Sequence, residues 1–468
     1  MAGDTINKWR VLLGLITGLF MASLEGTIVP IAMPKAVLEL GGQALYNWPI
    51  TIFIFSSTIS IPVWGRLSDL YGRPIIYNTG LLLFATCSLL CGASWSMESL
   101  IFFRLLQGMG SGALFALTFT IIGDLFTLEE RGRVTGYTST VWAVGSILGP
   151  PMGGVIVDTL GWRWVYLINI PPALMALFMS LRNLKILSTN RMQRKLDAKG
   201  FILFTIIASS LLILIDAPLF GWQITVFMIV LLICAIPLLI RVERRVATPF
   251  IPFGLLSERL NFTIFTINLL IGFAFFGTVT VIPPILQWFY GLAPTEAGLM
   301  MAPATLGWVL AANISSRLIV RYGPAPLIKT GISLFAAAFS LLVSAGIFAS
   351  SYWLLIPPLI LLGSSMGLTV PTTLITIQTL ASYSEMGFLT SILTFFRSFG
   401  GSVGTQAMWA PFAHSELELG SLETIYAPSL TSFGTALALS LICVPLSFRV
   451  SWPDLRVVER ERRQIPRK

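Results

Sequence analysis

Apolar runs of about twenty residues recur from one end of this chain to the other, and nothing else in the sequence constrains the fold as much. A helix rises ~1.5 Å per residue, so a run of that length matches the ~30 Å hydrocarbon layer of a bilayer. Inside that layer no water satisfies backbone N–H and C=O groups, which leaves helices or closed barrels as the structures that cross it. Runs this long read as helices. Composition decides one further point: 11% of the 468 residues are charged, against about a quarter in a soluble chain. Most of this chain therefore avoids water. The spans read from hydropathy are 10–33, 46–65, 75–95, 98–124, 133–157, 162–183, 198–216, 220–240, 261–290, 294–316, 325–348, 351–380, 386–411 and 428–449, about fourteen in all. The expectation is an all-α integral membrane protein. The first run follows Lys8 and is interrupted by Glu25 with no small-residue cleavage site behind it, so it reads as a retained span and not a signal peptide.

The basic residues orient the spans. Loops facing the cytoplasm carry the Lys and Arg excess. Alternate loops here hold Arg66 and Arg73, Arg131 and Arg133, the cluster Arg182, Lys185, Arg191, Arg194, Lys195 and Lys199, then Arg241, Arg244, Arg245 and Arg259, then Arg317, Arg321 and Lys329. The tail from Arg449 to Lys468 is also basic. Lys35 and Arg163 fall on the opposite side, and Arg104 and Arg397 fall inside spans. Both termini are expected in the cytoplasm, with the protein in a bacterial cytoplasmic membrane. The basic tail reads as an anchor beside anionic lipid, and no nucleic-acid partner is expected. Cys87, Cys91, Cys234 and Cys443 all lie in apolar runs without disulfide or metal-ligand spacing, and His414 is the one histidine. No metal site and no cofactor are expected.

The stretch Gly65-Arg66-Leu67-Ser68-Asp69-Leu70-Tyr71-Gly72-Arg73-Pro74 reads as a charged, glycine-bracketed turn between the second and third spans. Its glycines permit close helix approach, and Asp69 can satisfy free N–H groups at a helix start. A degraded copy, Ser316-Arg317-Leu318-Ile319-Val320-Arg321-Tyr322-Gly323, lies between two later spans. A basic loop at 184–199 and a hairpin at 198–240, broken by Asp216-Ala217-Pro218 and Gly221, separate the two copies. Removing that hairpin leaves six spans on each side, each half with its turn between its second and third helix. The expected domains are an N-terminal six-helix lobe (1–190), a linker with an inserted two-helix hairpin (191–245), and a C-terminal six-helix lobe with the basic tail (246–468).

Charges inside apolar spans are costly and point to function. Glu25 and Arg104 lie at similar depth, ~12 and ~9 Å from the outer ends of their helices at ~1.5 Å per residue. Thr17, Met21 and Glu25 share one helical face, read as lining a cavity. The pair is either a protonatable carboxylate poised by burial and an arginine, or a structural ion pair. Asp124 and Asp158 read as interfacial. Gln107 shares the face of Arg104, and Gly108 belongs to a small-residue run that admits a neighbouring helix. Gly145, Gly149, Pro150, Gly153 and Gly154 form a packing and hinge stretch in the fifth span. Arg397 lies near mid-membrane in the thirteenth span, with a substrate, a lipid headgroup or backbone carbonyls as its possible partners. Trp142, Phe275, Phe276, Trp288 and Met301 are the aromatic and thioether candidates for a lipophilic ligand, weighed against packing and interface roles.

These motifs together resemble the major facilitator superfamily over nearly the whole chain. The turn at 65–73 resembles its G-x-x-x-D-x-x-G-R loop, Arg104 to Gly110 its R-x-x-Q-G-x-G fourth helix, and Gly145 to Gly154 the G-x-x-x-G-P-x-x-G-G fifth helix of antiporters. Leu24-Glu25-Gly26-Thr27-Ile28-Val29, with the inserted hairpin, resembles the fourteen-span drug:proton antiporters. The resemblance implies a two-lobed bundle of six plus six helices. It implies that Asp69, Arg73 and Arg131 form a conformational latch, that Glu25 and Arg104 serve proton coupling, and that the glycine-proline run seals or hinges the fifth helix. The chain departs from the pattern at Glu25, where Asp is common, at Pro74, where a second basic residue is common, and at Val320, which leaves the second copy of the turn without its acid.

The expected function is a proton-driven exporter of lipophilic small molecules working by alternating access, with substrate, protons and membrane lipids as its partners. A lipid or glycolipid exporter is the alternative. A membrane-embedded enzyme would need a paired-carboxylate, Ser/His or metal-ligand set in the spans, and a sensor an appended soluble domain; neither is legible.

Overall fold

The computed structural model describes residues 8–41, 45, 48–183, 197–215, 221–246, 254, 258–288, 290–292, 294–348, 351–382, 385–413, 422–448, 452 and 455. Most of the basic loop at 184–199, the Asp216-Ala217-Pro218 break, His414 and nearly all of the basic tail lie outside them. The described helices are α1 (Lys8–Leu40), α2 (Trp48–Tyr71), α3 (Arg73–Gly92), α4 (Met97–Leu125), α5 (Leu128–Thr159), α6 (Trp164–Leu167), α7 (Ile170–Asn183), α8 (Ala198–Ile215) and α9 (Trp222–Glu243). They continue as α10 (Arg259–Trp288), α11 (Pro294–Leu299), α12 (Ala302–Tyr322), α13 (Pro324–Phe348), α14 (Ile356–Leu380), α15 (Met386–Ala413) and α16 (Leu422–Phe448). No strand occurs among the described residues. Among the described residues, ten helical segments are long and apolar enough to cross a membrane. Helices α5 and α12, of 32 and 21 residues, are as long but more polar, and α15 has 28 residues.

Four boundaries differ from the sequence reading. The stretch at 65–73 is not a loop: α2 continues through Arg66, Ser68 and Asp69 to Tyr71, and Gly72 alone breaks it at φ +97°. Gly323, at φ +72°, ends α12 in the same way, and a proline follows each break in the first turn of the next helix. A positive φ is cheap only for glycine, and proline fits a first helical turn because its missing N–H has no partner there. The sixth span is divided at Ile168–Asn169, just before Pro171 and Pro172, and the tenth at Met300–Met301, just before Pro303. Helix α1 runs on to Leu40, which puts Glu25 near its middle.

The chain forms two compact units. The first comprises Met1–Thr127, Thr140–Phe201 and Ala381–Phe395; the second comprises Leu128–Ser139, Ile202–Leu380 and Phe396–Lys468. In the first, α2 and α3 lie on α4. A β-carbon at Gly108 or Gly112 would overlap α2 at Phe53 and Ser56 or at Ser57 and Ser60, so these helices touch backbone to backbone. Helix α5 meets α1 through Gly145 on Ser23, Gly149 on Thr27 and Gly153 on Ile28. Around these contacts Leu24, Ile28, Met33, Leu100, Val165 and Tyr166 form an apolar core.

The second unit packs in the same style. Gly363 and Gly367 of α14 lie against Ala304, Trp308 and Ala312 of α12, and Gly400 and Gly404 of α15 lie against Leu269 and Phe273 of α10. Its core includes Ile282, Leu362 and Met366, with Phe335 and Phe339 edge to face at 5.0 Å. Helix α9 stands apart from this pattern: 11% of its most apolar stretch is buried, against 72% for α4.

Candidate functional site

Five elements of the first unit converge on Glu25. Its side chain and that of Arg104 are each 1% exposed or less, so neither charge is hydrated and each needs partners from protein. Arg104 Nη1 donates to Glu25 Oε1 and, at 2.8 Å, to Gln107 Oε1. Arg104 Nε donates to the Pro49 carbonyl at 3.0 Å, and the guanidinium lies 4.0 Å from the Phe53 ring centre and 5.6 Å from that of Tyr166. Asn169 Nδ2 donates to Glu25 Oε2 at 2.6 Å, and Gln107 Nε2 donates to Ser88 Oγ at 2.7 Å.

Both Glu25 oxygens therefore receive donors, an arrangement matched to the ionised carboxylate. A proton arriving on Oε1 would face a guanidinium, which has no acceptor. A proton on Oε2 would face the Asn169 amide, which can turn its oxygen inward. The network can accept a proton only by rearranging. Sequence reasoning found Glu25, Arg104 and Gln107 but missed Ser88, Phe53, Tyr166 and Asn169. Asn169 did leave a signal, as a polar residue directly before Ile170-Pro171-Pro172, where a span must break.

A second charged cluster closes the end of α2. Arg73 donates to Asp69, to Ser68 Oγ at 3.2 Å and, through Nε, to Asp124 Oδ2 at 3.0 Å. Asp124, read from sequence as interfacial, is enclosed in this cluster with its side chain fully buried. Asp69 also accepts the backbone N–H groups of Gly387 at 3.2 Å and Phe388 at 2.9 Å, the free donors in the first turn of α15. A β-carbon at Gly65 would overlap Ser391 and the Gly387 carbonyl region of that same segment. Arg131, in the second unit, donates to Thr379 Oγ1 at 3.4 Å.

At the other end of the first unit, Lys35 pairs with Asp158 at 2.8 Å. Glu39 accepts from Trp162 Nε1 at 2.6 Å and from Arg163, and the indole bond followed by the guanidinium holds its carboxyl below the usual range.

The other sequence candidates divide. On the Thr17–Met21–Glu25 face, Met21 is 1% exposed and Thr17 is half-buried. Gln107 is fully buried in the Glu25 network. Gly154 faces nothing within 4 Å, so it takes no part in the close approach of α5 to α1. Phe275 is buried, whereas Phe276 and Met301 are half-buried. The side chains of Trp142, Pro150 and Trp288 lie outside the described residues. Arg397, half-buried in α15, makes no ion pair and no side-chain hydrogen bond among the described residues. No group of acidic, His or Cys side chains among the described residues can hold a metal ion.

The family model of the Major Facilitator Superfamily matches residues 15–405. Multidrug transporter protein MdtP of Bacillus subtilis (strain 168) is 34% identical over 425 residues, 87% of this chain and 76% of that protein. Multidrug export protein EmrB of Escherichia coli (strain K12) is 29% identical over 423 residues, covering 87% of this chain and 81% of its own length. Among solved structures, the human organic anion transporter MFSD10 (TETRAN) superposes with a TM-score of 0.68 at 16% identity, over 95% of this chain and all of that one; this likeness concerns the fold alone.

Proposed function

Because the chain belongs to the Major Facilitator Superfamily and is an integral membrane transporter, not an enzyme, we propose that it exports lipophilic small molecules in exchange for protons. The names of its relatives MdtP and EmrB support multidrug export. The observation that carries the proton half is the Glu25 network: a sealed carboxylate in the middle of α1, with every oxygen bonded, whose protonation forces Arg104 or Asn169 to move. A carrier with one such carboxylate couples proton uptake to a change of conformation, the requirement for antiport by alternating access.

The same reading includes fourteen spans in two sets of six with α8 and α9 as the insertion. Two features support it: the glycine contacts of α2–α4 and α1–α5 recur in α12–α14 and α10–α15, and α9 buries little of its surface. The termini are then cytoplasmic, and the location is the bacterial cytoplasmic membrane. A lipid or glycolipid exporter is the second reading, favoured by Arg397, which has no partner among the described residues. The test is Glu25→Gln in proteoliposomes, a permanent copy of the protonated state. Uphill dye export under a pH gradient should fall to background while downhill exchange persists. Wild-type uphill export in that variant would make Glu25 a structural residue.

A further inference from the structure

Among the described residues, the second unit holds a cation with nothing to balance it. Arg397 lies eleven residues into α15, ~17 Å along the helix at ~1.5 Å per residue, and therefore far from either end. Its backbone lies against Gly272 of α10, on the same stripe as Gly400, Gly401 and Gly404. The sequence left three partners open. Among the described residues, no backbone carbonyl accepts from the Arg397 side chain and no carboxylate lies within 4.0 Å. The described acids of this unit, Glu129, Glu130, Glu243, Glu258, Glu296 and Glu423, all lie at or beyond helix ends. By contrast, Arg73, Arg104 and Arg163 of the first unit each have a carboxylate.

One turn beyond Arg397, Gly401 lies against the ring of Phe276. Phe276 meets Phe275 edge to face at 5.4 Å, and Phe275 meets Trp308 at 5.2 Å. Phe276 and Trp308 are half-buried, so each keeps ring surface free for a ligand. An arginine without a partner among the described residues, one helical turn from aromatic surface, suits one chemical class. The planar fork of Arg takes a carboxylate, sulfonate or phosphate in two parallel bonds, and the rings take an apolar body.

We propose that Arg397, with Phe276 and Trp308, binds amphiphilic organic anions, the acidic group on the guanidinium and the apolar body on the rings. The inference rests on the exporter reading and deepens it by naming a substrate class, while its experiment measures binding without a proton gradient. A lipid phosphate and a transported organic acid offer the same chemistry, so the experiment separates them.

The probe is a dansyl-labelled undecanoic acid, with its methyl ester as the neutral control, titrated against the full-length protein in nanodiscs of phosphatidylcholine. Arg397→Gln should weaken the acid about tenfold, in line with the loss of hydrogen bonds to a charged group, and leave the ester within about twofold. Retained ester binding also reports that the variant is folded. Arg397→Lys should fall between, keeping the charge and losing the fork. Phe276→Ala should weaken acid and ester alike. The titrations read equilibrium binding and not transport, so failure of proton coupling would leave this result untouched. Competition by phosphatidylglycerol in wild type but not in Arg397→Gln assigns the site to a lipid phosphate; absence of competition assigns it to a transported acid. Equal binding of acid by wild type and Arg397→Gln would overturn the proposal.

Discussion

Single residues carry the chemistry of this protein, and Asn169 carries more than its sequence context advertises. It sits between α6 and α7, where its backbone N–H donates to the Tyr166 carbonyl and its own carbonyl accepts from Ala173. Its side chain meanwhile supplies one of the donors on Glu25. Asn169→Leu keeps the volume and removes the donor, and a hydrogen bond to a charged group is worth about 1.5–3 kcal/mol. Thermal unfolding should show a loss of that order in wild type and a smaller one in Glu25→Gln, where the bond is between neutral groups. The difference between the two backgrounds should reach about 1 kcal/mol. Equal losses in both would mean that Asn169 serves the helix break and not the carboxylate. Glu25, Arg104 and Gln107 were legible because a charge in an apolar run stands out. Asn169 and Ser88 were not, since a neutral polar side chain costs little in a span until a tertiary contact makes it indispensable.

At the scale of elements, glycine placement sets which helices touch. Gly363 and Gly434 are both helical, yet they predict opposite outcomes. A β-carbon at Gly363 would overlap the Ala304 carbonyl, a backbone atom that cannot turn away, whereas one at Gly434 meets nothing within 4 Å. Gly363→Ala should force α12 and α14 apart at a cost of about 1–3 kcal/mol. Gly434→Ala should be neutral or stabilising by up to about 1 kcal/mol, because alanine gives up less backbone freedom than glycine. Melting temperatures of the purified variants decide it, and equal shifts for the two would show that the α12–α14 approach is not a tight one. The helices themselves were legible from hydropathy. The continuation of α2 through Asp69 was not, because a charged segment looks like a loop until its buried partners, Arg73 and Asp124, are known.

At the scale of the whole molecule, the chain returns across more than three hundred positions to complete its first unit: residues 381–395 belong with Met1–Thr127. Asp69 is the tie, holding the N–H groups of Gly387 and Phe388. Asp69→Asn keeps the shape but loses the charge at a helix N-terminus, worth about 0.3–1 kcal/mol and up to ~2 when partly buried. The variant should fold and insert, with faster amide hydrogen exchange confined to the first turn of α15. Unchanged exchange there, with normal transport, would remove Asp69 from any role in holding that helix.

The sequence by itself determined the helical, membrane-spanning class, the family, and the two buried charges Glu25 and Arg104. Each follows from a local rule, the exclusion of charge from hydrocarbon and the length of helix that crosses it, which acts on every residue whatever its neighbours. Tertiary structure alone decided which groups complete the Glu25 shell, which helix end Asp69 caps, and that Arg397 lacks a partner within the described chain. Those are facts of direction and distance between segments remote in sequence. A hydrogen bond fails within about half an ångström of its ideal length, and hydropathy carries no information at that resolution.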